Sequence, residues 1–91
     1  MLVVLNKCFG GFSLSDRAAG VLGLDGGYSY VDRTDPDLIA LIQEHGSEWV
    51  SSIYANLRIV EIPDEVTDWE INEYDGLESI TYVMDGKLYH A

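Results

Sequence analysis

Two Asp-Gly pairs near the end of the chain constrain its fold more than any other feature. Asp75-Gly76 and Asp85-Gly86 stand between runs in which side chains alternate with a period of two, the spacing of β-strands. An Asp-Gly pair favours the tight two-residue turn that joins neighbouring antiparallel strands. Residues 69–74, 77–84 and 88–89 are therefore predicted to form three consecutive antiparallel strands.

Two earlier segments also have strand character. Residues 2–5 form a continuous apolar run with two valines, which is typical of a short buried strand. Residues 57–62 alternate with both faces largely apolar, which favours a central strand, and Pro63 ends that strand because it cannot donate to a sheet.

Two helices are predicted between these strands. The first begins at Ser13, because residues 13–16 resemble a capping box with an aspartate in the last position. The second begins with Asp35 as its N-cap and Pro36 as its first helical residue. Each helix ends at a glycine, and residues 47–56 are predicted to be a loop with some helical character.

The order of these elements predicts an α+β fold. Its expected form is an antiparallel sheet of about four strands with two short helices packed on one face. A chain of 91 residues has room for one hydrophobic core, so residues 1–91 are predicted to form a single domain. Dimerisation would add stability to so small a core, and the sequence leaves both the monomer and a homodimer open.

Charge restricts the partners of this chain. Five basic residues face sixteen acidic ones, for a formal net charge of −11. Residues 61–91 hold nine of the acids and one base, a net charge of −8. Such a field repels phosphate backbones and anionic membranes, so direct binding of nucleic acid or membrane is not expected. A basic protein is the natural complement, although acidic charge also serves solubility alone.

The densest acidic stretch is interleaved with aromatic residues and predicts a surface for a basic protein. Like charges on adjacent strands are destabilising, so a cluster kept at that cost is a functional hint. Trp69 and Tyr74 are its expected aromatic anchors. The alternative is a merely solvated face. The candidate residues are Asp64, Glu65, Asp68, Trp69, Glu70, Glu73, Tyr74, Asp75 and Glu78.

A second candidate site belongs to another class of function. Gly10 and Gly11 precede the predicted start of the first helix at Ser13, where backbone N–H groups can hold an anion such as a nucleotide. Arg33 is available in principle for a phosphate or carboxylate. The simpler interpretations are a tight strand-to-helix turn and local pairing of Arg33 with its acidic neighbours Asp32 and Asp35.

Catalytic and metal chemistry are not expected. Cys8 is the only cysteine, and no histidine is placed to activate it, so we interpret it as a structural residue. No Cys or His pair has the spacing of metal ligands, and no cofactor motif is present. The absence of a disulfide, of a signal peptide and of a run of roughly 20 apolar residues predicts a cytoplasmic location.

Several segments resemble a family of small phage and prophage proteins that has no assigned activity. Residues 6–15, NKCFGGFSLS, are similar to the start of that family, and residues 32–36, 60–64 and 69–76 are similar to later parts of it. The tail from Ile80 departs from the family, whose usual tail is more basic. The resemblance implies a phage or prophage origin and action in the host cytoplasm. Small acidic phage proteins often inhibit host factors, including nucleic-acid-binding defence proteins.

Overall fold

The protein is an α+β fold, as its sequence predicted. A computed structural model describes the whole chain from Met1 to Ala91. It contains five strands and three helices. In chain order these are β1 (Leu2–Asn6), α1 (Asp16–Val21), α2 (Pro36–His45), α3 (Ser47–Val50), β2 (Leu57–Glu61), β3 (Asp68–Tyr74), β4 (Leu77–Met84) and β5 (Lys87–His90).

The strands divide between two antiparallel sheets, where the sequence predicted one sheet of about four strands. β1 pairs with β2, and the second sheet has the order β3-β4-β5. β2 ends at Glu61, just before Pro63, and a turn-rich segment separates it from β3. Without a tight turn between them, β2 and β3 do not pair, whereas the two Asp-Gly turns keep the last three strands together.

Both Asp-Gly pairs form the predicted hairpin turns. The backbone φ angle is 50° at Asp75 and 88° at Gly76, and it is 53° at Asp85 and 73° at Gly86. Positive φ at both central residues is the type I′ geometry, which matches the right-handed twist of the two flanking strands. Tyr74 consequently lies opposite Leu77 across the first hairpin.

The helices follow their capping residues, with one correction. α2 is as predicted: the Asp35 carboxylate accepts hydrogen bonds from the first turn, and Gly46 ends the helix. α1 begins after Ser15, whose hydroxyl accepts from the Ala18 N–H, and not after Ser13. The chain stays extended through Leu14, which forms a bridge with Ser51, so the first capping candidate is not at a helix end. No helix is long and apolar enough to cross a membrane.

β1 lies between two hydrophobic clusters and explains why residues 2–5 are apolar without alternation. Val4 belongs to the first cluster, which it shares with the helices. Val3 and Leu5 point the other way and form the second cluster with Ile62 and Ile80. The molecule is therefore built of three layers, with helices, the β1-β2 sheet and the three-stranded sheet in that order.

Candidate functional site

The three-stranded sheet has one face on the second core cluster and the other face toward solvent. Residues directly opposite each other on paired strands share a face, so the strand register shows on which face of the sheet each side chain lies. Asn72 Nδ2 donates to Thr81 Oγ1 over 2.6 Å, which confirms the assignment for the solvent side. We call that side the outer sheet face. It consists of Asp68, Glu70, Asn72, Tyr74, Leu77, Ser79, Thr81, Val83, Leu88 and His90.

Acidic and apolar groups lie side by side on the outer sheet face. Asp68 is opposite Val83, which is in turn opposite the exposed Leu88 of β5. Glu70 and Tyr74 follow on the same side of β3, and Tyr74 is 72% exposed. Neither carboxylate takes part in an ion pair of the protein. The face thus presents two carboxylates without ion pairs, and it also presents the exposed side chains of Tyr74 and Leu88.

The other exposed acids of the predicted surface do not belong to this face. The Glu73 carboxylate accepts a hydrogen bond from the Gly76 N–H and so closes the first hairpin, where Asp75 also lies. Asp64 and Glu65 are exposed in the segment before β3. The Met1 ammonium group lies 2.6 Å from Asp64 and lowers the pKa of that carboxyl through its hydrogen bond and its charge.

Two residues assigned to the acidic surface lie instead on the inner face of the sheet, where Trp69 is partly buried and Glu78 is buried. Trp69 lies on the inner face of the sheet, opposite Tyr82, and packs against the second core cluster. Glu78 is only 6% exposed and accepts two hydrogen bonds from Arg33, at 2.6 and 2.8 Å. A period of two separates the two faces of a strand, but it does not show which of them is buried.

Arg33 is held entirely by contacts within the protein. Its guanidinium carbon lies 3.6 Å from the centroid of the Phe12 ring, and Nη1 also donates to the Val4 carbonyl over 3.2 Å. The Asn6 N–H donates to the same Glu78 carboxylate over 2.7 Å. Each charge of the pair is therefore compensated, as buried charges must be. Both Nη groups of Arg33 already donate within the protein, so they are not available to an anion. The charged partner of Arg33 is Glu78 and not its sequence neighbours Asp32 and Asp35.

The glycine-rich loop is a packing junction. A Cβ atom at Gly10 would lie 1.6 Å from the Tyr54 carbonyl oxygen, and one at Gly76 would lie 2.3 Å from the Gly11 nitrogen. Ser13 is fully buried, and its hydroxyl hydrogen-bonds to that of Ser52. Gly10 and Gly76 allow neighbouring backbone to approach closely, which favours the simpler interpretation of the loop as a tight connection.

The surroundings of Cys8 and of the possible metal ligands point to no further site. Cys8 is half-buried, and its thiol lies 3.3 Å from the Tyr54 carbonyl oxygen. No three His, Cys, Asp or Glu side chains are grouped so that they could hold a metal ion.

No sequence pattern indicates the groove of about 1200 Å³ that lies beside α1 and α3. It is lined in part by Trp49 and Tyr54, which fall in the segment predicted to be a loop, and by Tyr28 from an earlier turn. These residues come from separate parts of the chain, so only their packing brings them together.

No family model, curated protein or solved structure matches this chain. The resemblance to phage and prophage proteins stays a prediction that depends on the residues quoted for it.

Proposed function

We propose that this protein works by binding, and that its outer sheet face takes a basic protein partner. The observation that carries the proposal is that one solvent-exposed face holds Asp68 and Glu70 together with the exposed side chains of Tyr74 and Leu88. Exposed aromatic and apolar groups supply the contact area of an interface, and neighbouring charges select the partner.

Charge supports a basic partner over a neutral one. The exposed acids Glu65 and Asp75, before and after β3, add negative charge beyond the two central carboxylates, whereas Asp64 is paired with the Met1 ammonium group. A field of one sign speeds the encounter with an oppositely charged surface and weakens as salt rises. The same field opposes direct contact with nucleic acid.

The kind of partner follows from the family resemblance. A phage protein that acts in the host cytoplasm would meet host or defence proteins whose basic surfaces bind nucleic acid. Carboxylates on a sheet can occupy the positions of phosphates on such a surface. We therefore propose that the protein inhibits a basic host or defence protein by competing with its nucleic acid.

The experiment captures partners from host lysate at low and moderate salt and then measures the affinity of the purified complex. The test variant is Asp68→Lys with Glu70→Lys. The control is Asp25→Lys with Glu44→Lys, two exposed acids outside the outer sheet face, so both variants carry the same net charge. Circular dichroism checks that each variant remains folded.

We expect the test variant to bind at least about tenfold more weakly than the control, which corresponds to about 1.4 kcal/mol. The wild-type complex should also weaken as salt rises. Equal affinities for the two variants would refute the outer sheet face as the interface. Glu73 is left unchanged because its carboxylate closes the hairpin.

A further inference from the structure

The groove beside α1 and α3 is a second surface, and it shares no residue with the outer sheet face. Its charge differs from that of the rest of the chain. Two acids, Asp16 and Glu48, and two bases, Arg17 and Arg58, line it, so its lining is neutral in a protein of net charge −11. The acidic field is therefore locally interrupted here.

Most of the other basic residues are already engaged elsewhere. Arg33 pairs with Glu78, and Lys7 Nζ donates to the Glu78 carbonyl over 2.8 Å. The two ion pairs of the protein include neither Arg17 nor Arg58. With sixteen acids in the chain, two unpaired guanidinium groups on one groove are an uncommon arrangement that suits an anion.

Arg17 is positioned by an aromatic stack. Its guanidinium carbon lies 4.6 Å from the centroid of the Trp49 ring, and Trp49 is itself stacked on His45 at 4.2 Å. Arg17 Nε lies 3.4 Å from the Trp49 carbonyl oxygen, which leaves both Nη groups without a partner in the protein. A cation held in place in this way loses little freedom when it binds an anion.

The walls of the groove offer exposed aromatic rings. Tyr28 is 75% exposed and Tyr54 is 58% exposed, and Ile53, which precedes Tyr54 on the lining, is 90% exposed. The hydroxyl groups of Ser15 and Ser51 already make hydrogen bonds within the protein, to the Trp49 carbonyl and from the Leu57 N–H. The lining groups that remain for an anionic ligand with a ring are the guanidinium groups of Arg17 and Arg58 and the aromatic rings; the carboxylates of Asp16 and Glu48 also line the groove without an ion pair.

We infer that this groove binds a small anionic molecule with a planar ring, and that its chemical class is the nucleotide. Arg17 and Arg58 hold the phosphate through charge-assisted hydrogen bonds. Tyr28 or Tyr54 stacks on the base, as aromatic side chains stack on bases in proteins that bind single-stranded nucleic acid. The inference is independent of the proposed protein interface because the residues differ.

The experiment titrates the full chain with a panel of ribonucleotides, including mononucleotides, dinucleotides and cyclic forms, by isothermal calorimetry and thermal shift. A ligand that binds only the folded state raises the melting temperature. We expect at least one nucleotide to bind, and Arg58→Ala to weaken it by about tenfold or more, as loss of a charged hydrogen bond does. The Arg58 side chain takes part in no ion pair of the protein and is exposed, so this variant should fold normally.

Lys87→Ala is the matched control, because Lys87 is an exposed base on β5 that does not line the groove. It should bind the nucleotide as wild type does. Equal weakening by Lys87→Ala and Arg58→Ala would overturn the inference, since it would indicate only a change in the overall field. Two further results would also overturn it: no binding of any nucleotide at millimolar concentration, or binding of inorganic pyrophosphate as tight as that of the nucleotide.

Discussion

The contact between the first hairpin and the glycine-rich loop can be measured with two glycine substitutions. Gly76 and Gly86 hold the same position in two type I′ turns, each after an aspartate with positive φ. Nothing lies within 4 Å of a Cβ added at Gly86. A Cβ added at Gly76 would lie 2.3 Å from the Gly11 nitrogen and 3.0 Å from the Gly10 carbonyl carbon. The two positions therefore share the backbone strain and differ in the clash.

The expected magnitudes follow from these contacts. Gly86→Ala should cost about 1–2 kcal/mol, the strain of an L-residue in the left-handed region. Gly76→Ala should cost about 1–3 kcal/mol more, because the atoms it meets are backbone and cannot rotate away. Retreat of the turn would also stretch the 2.7 Å hydrogen bond from Asn6 Nδ2 to the Gly76 carbonyl. A domain of this size has about 5–14 kcal/mol of stability, so both variants should fold.

Urea unfolding, followed by tryptophan fluorescence and circular dichroism, measures the difference. Trp69 lies in the layer that contains the hairpin, and Trp49 lies in the helical layer, so fluorescence reports on both. Equal losses of stability for Gly76→Ala and Gly86→Ala would refute the reasoning. That result would mean that the hairpin turn does not depend on close approach to Gly11.

Two further predictions concern charged groups. Glu78→Ala should destabilise the fold by about 3–5 kcal/mol because it leaves the Arg33 charge without its partner. The double variant with Arg33→Leu should lose much less stability than the sum of the two single variants. Additive losses in urea unfolding would contradict the ion pair. The backbone N–H and the hydroxyl group of Thr34 donate to Asp32 and lower the pKa of that carboxyl below its ordinary value of 3.8. These bonds should therefore stabilise the fold above that value and lose their effect as the pH falls through the lowered pKa. Thr34→Val should raise the pKa of Asp32 partway toward 3.8 in an NMR titration, and an unchanged pKa would show that the hydroxyl contributes nothing.

The amount that could be predicted differs between the fold and the sites. Local chemistry determined α2 and both hairpins, because a capping aspartate and Asp-Gly turns act over a few residues. It misplaced the start of α1, where a long-range bridge between Leu14 and Ser51 keeps the chain extended. In the acidic segment, Asp68, Glu70 and Tyr74 are exposed whereas Glu78 is buried, and the sequence pattern did not distinguish them.

The sequence by itself determined the α+β class, the antiparallel pairing of the last three strands and the strong negative charge. Tertiary structure decided which face of the last sheet is exposed, because that depends on where β1 packs. It also decided that Arg33 neutralises Glu78 and that Arg17, Arg58 and Trp49 share one groove. Each of these relations joins residues far apart in the chain, and turn, capping and periodicity signals reach only their near neighbours.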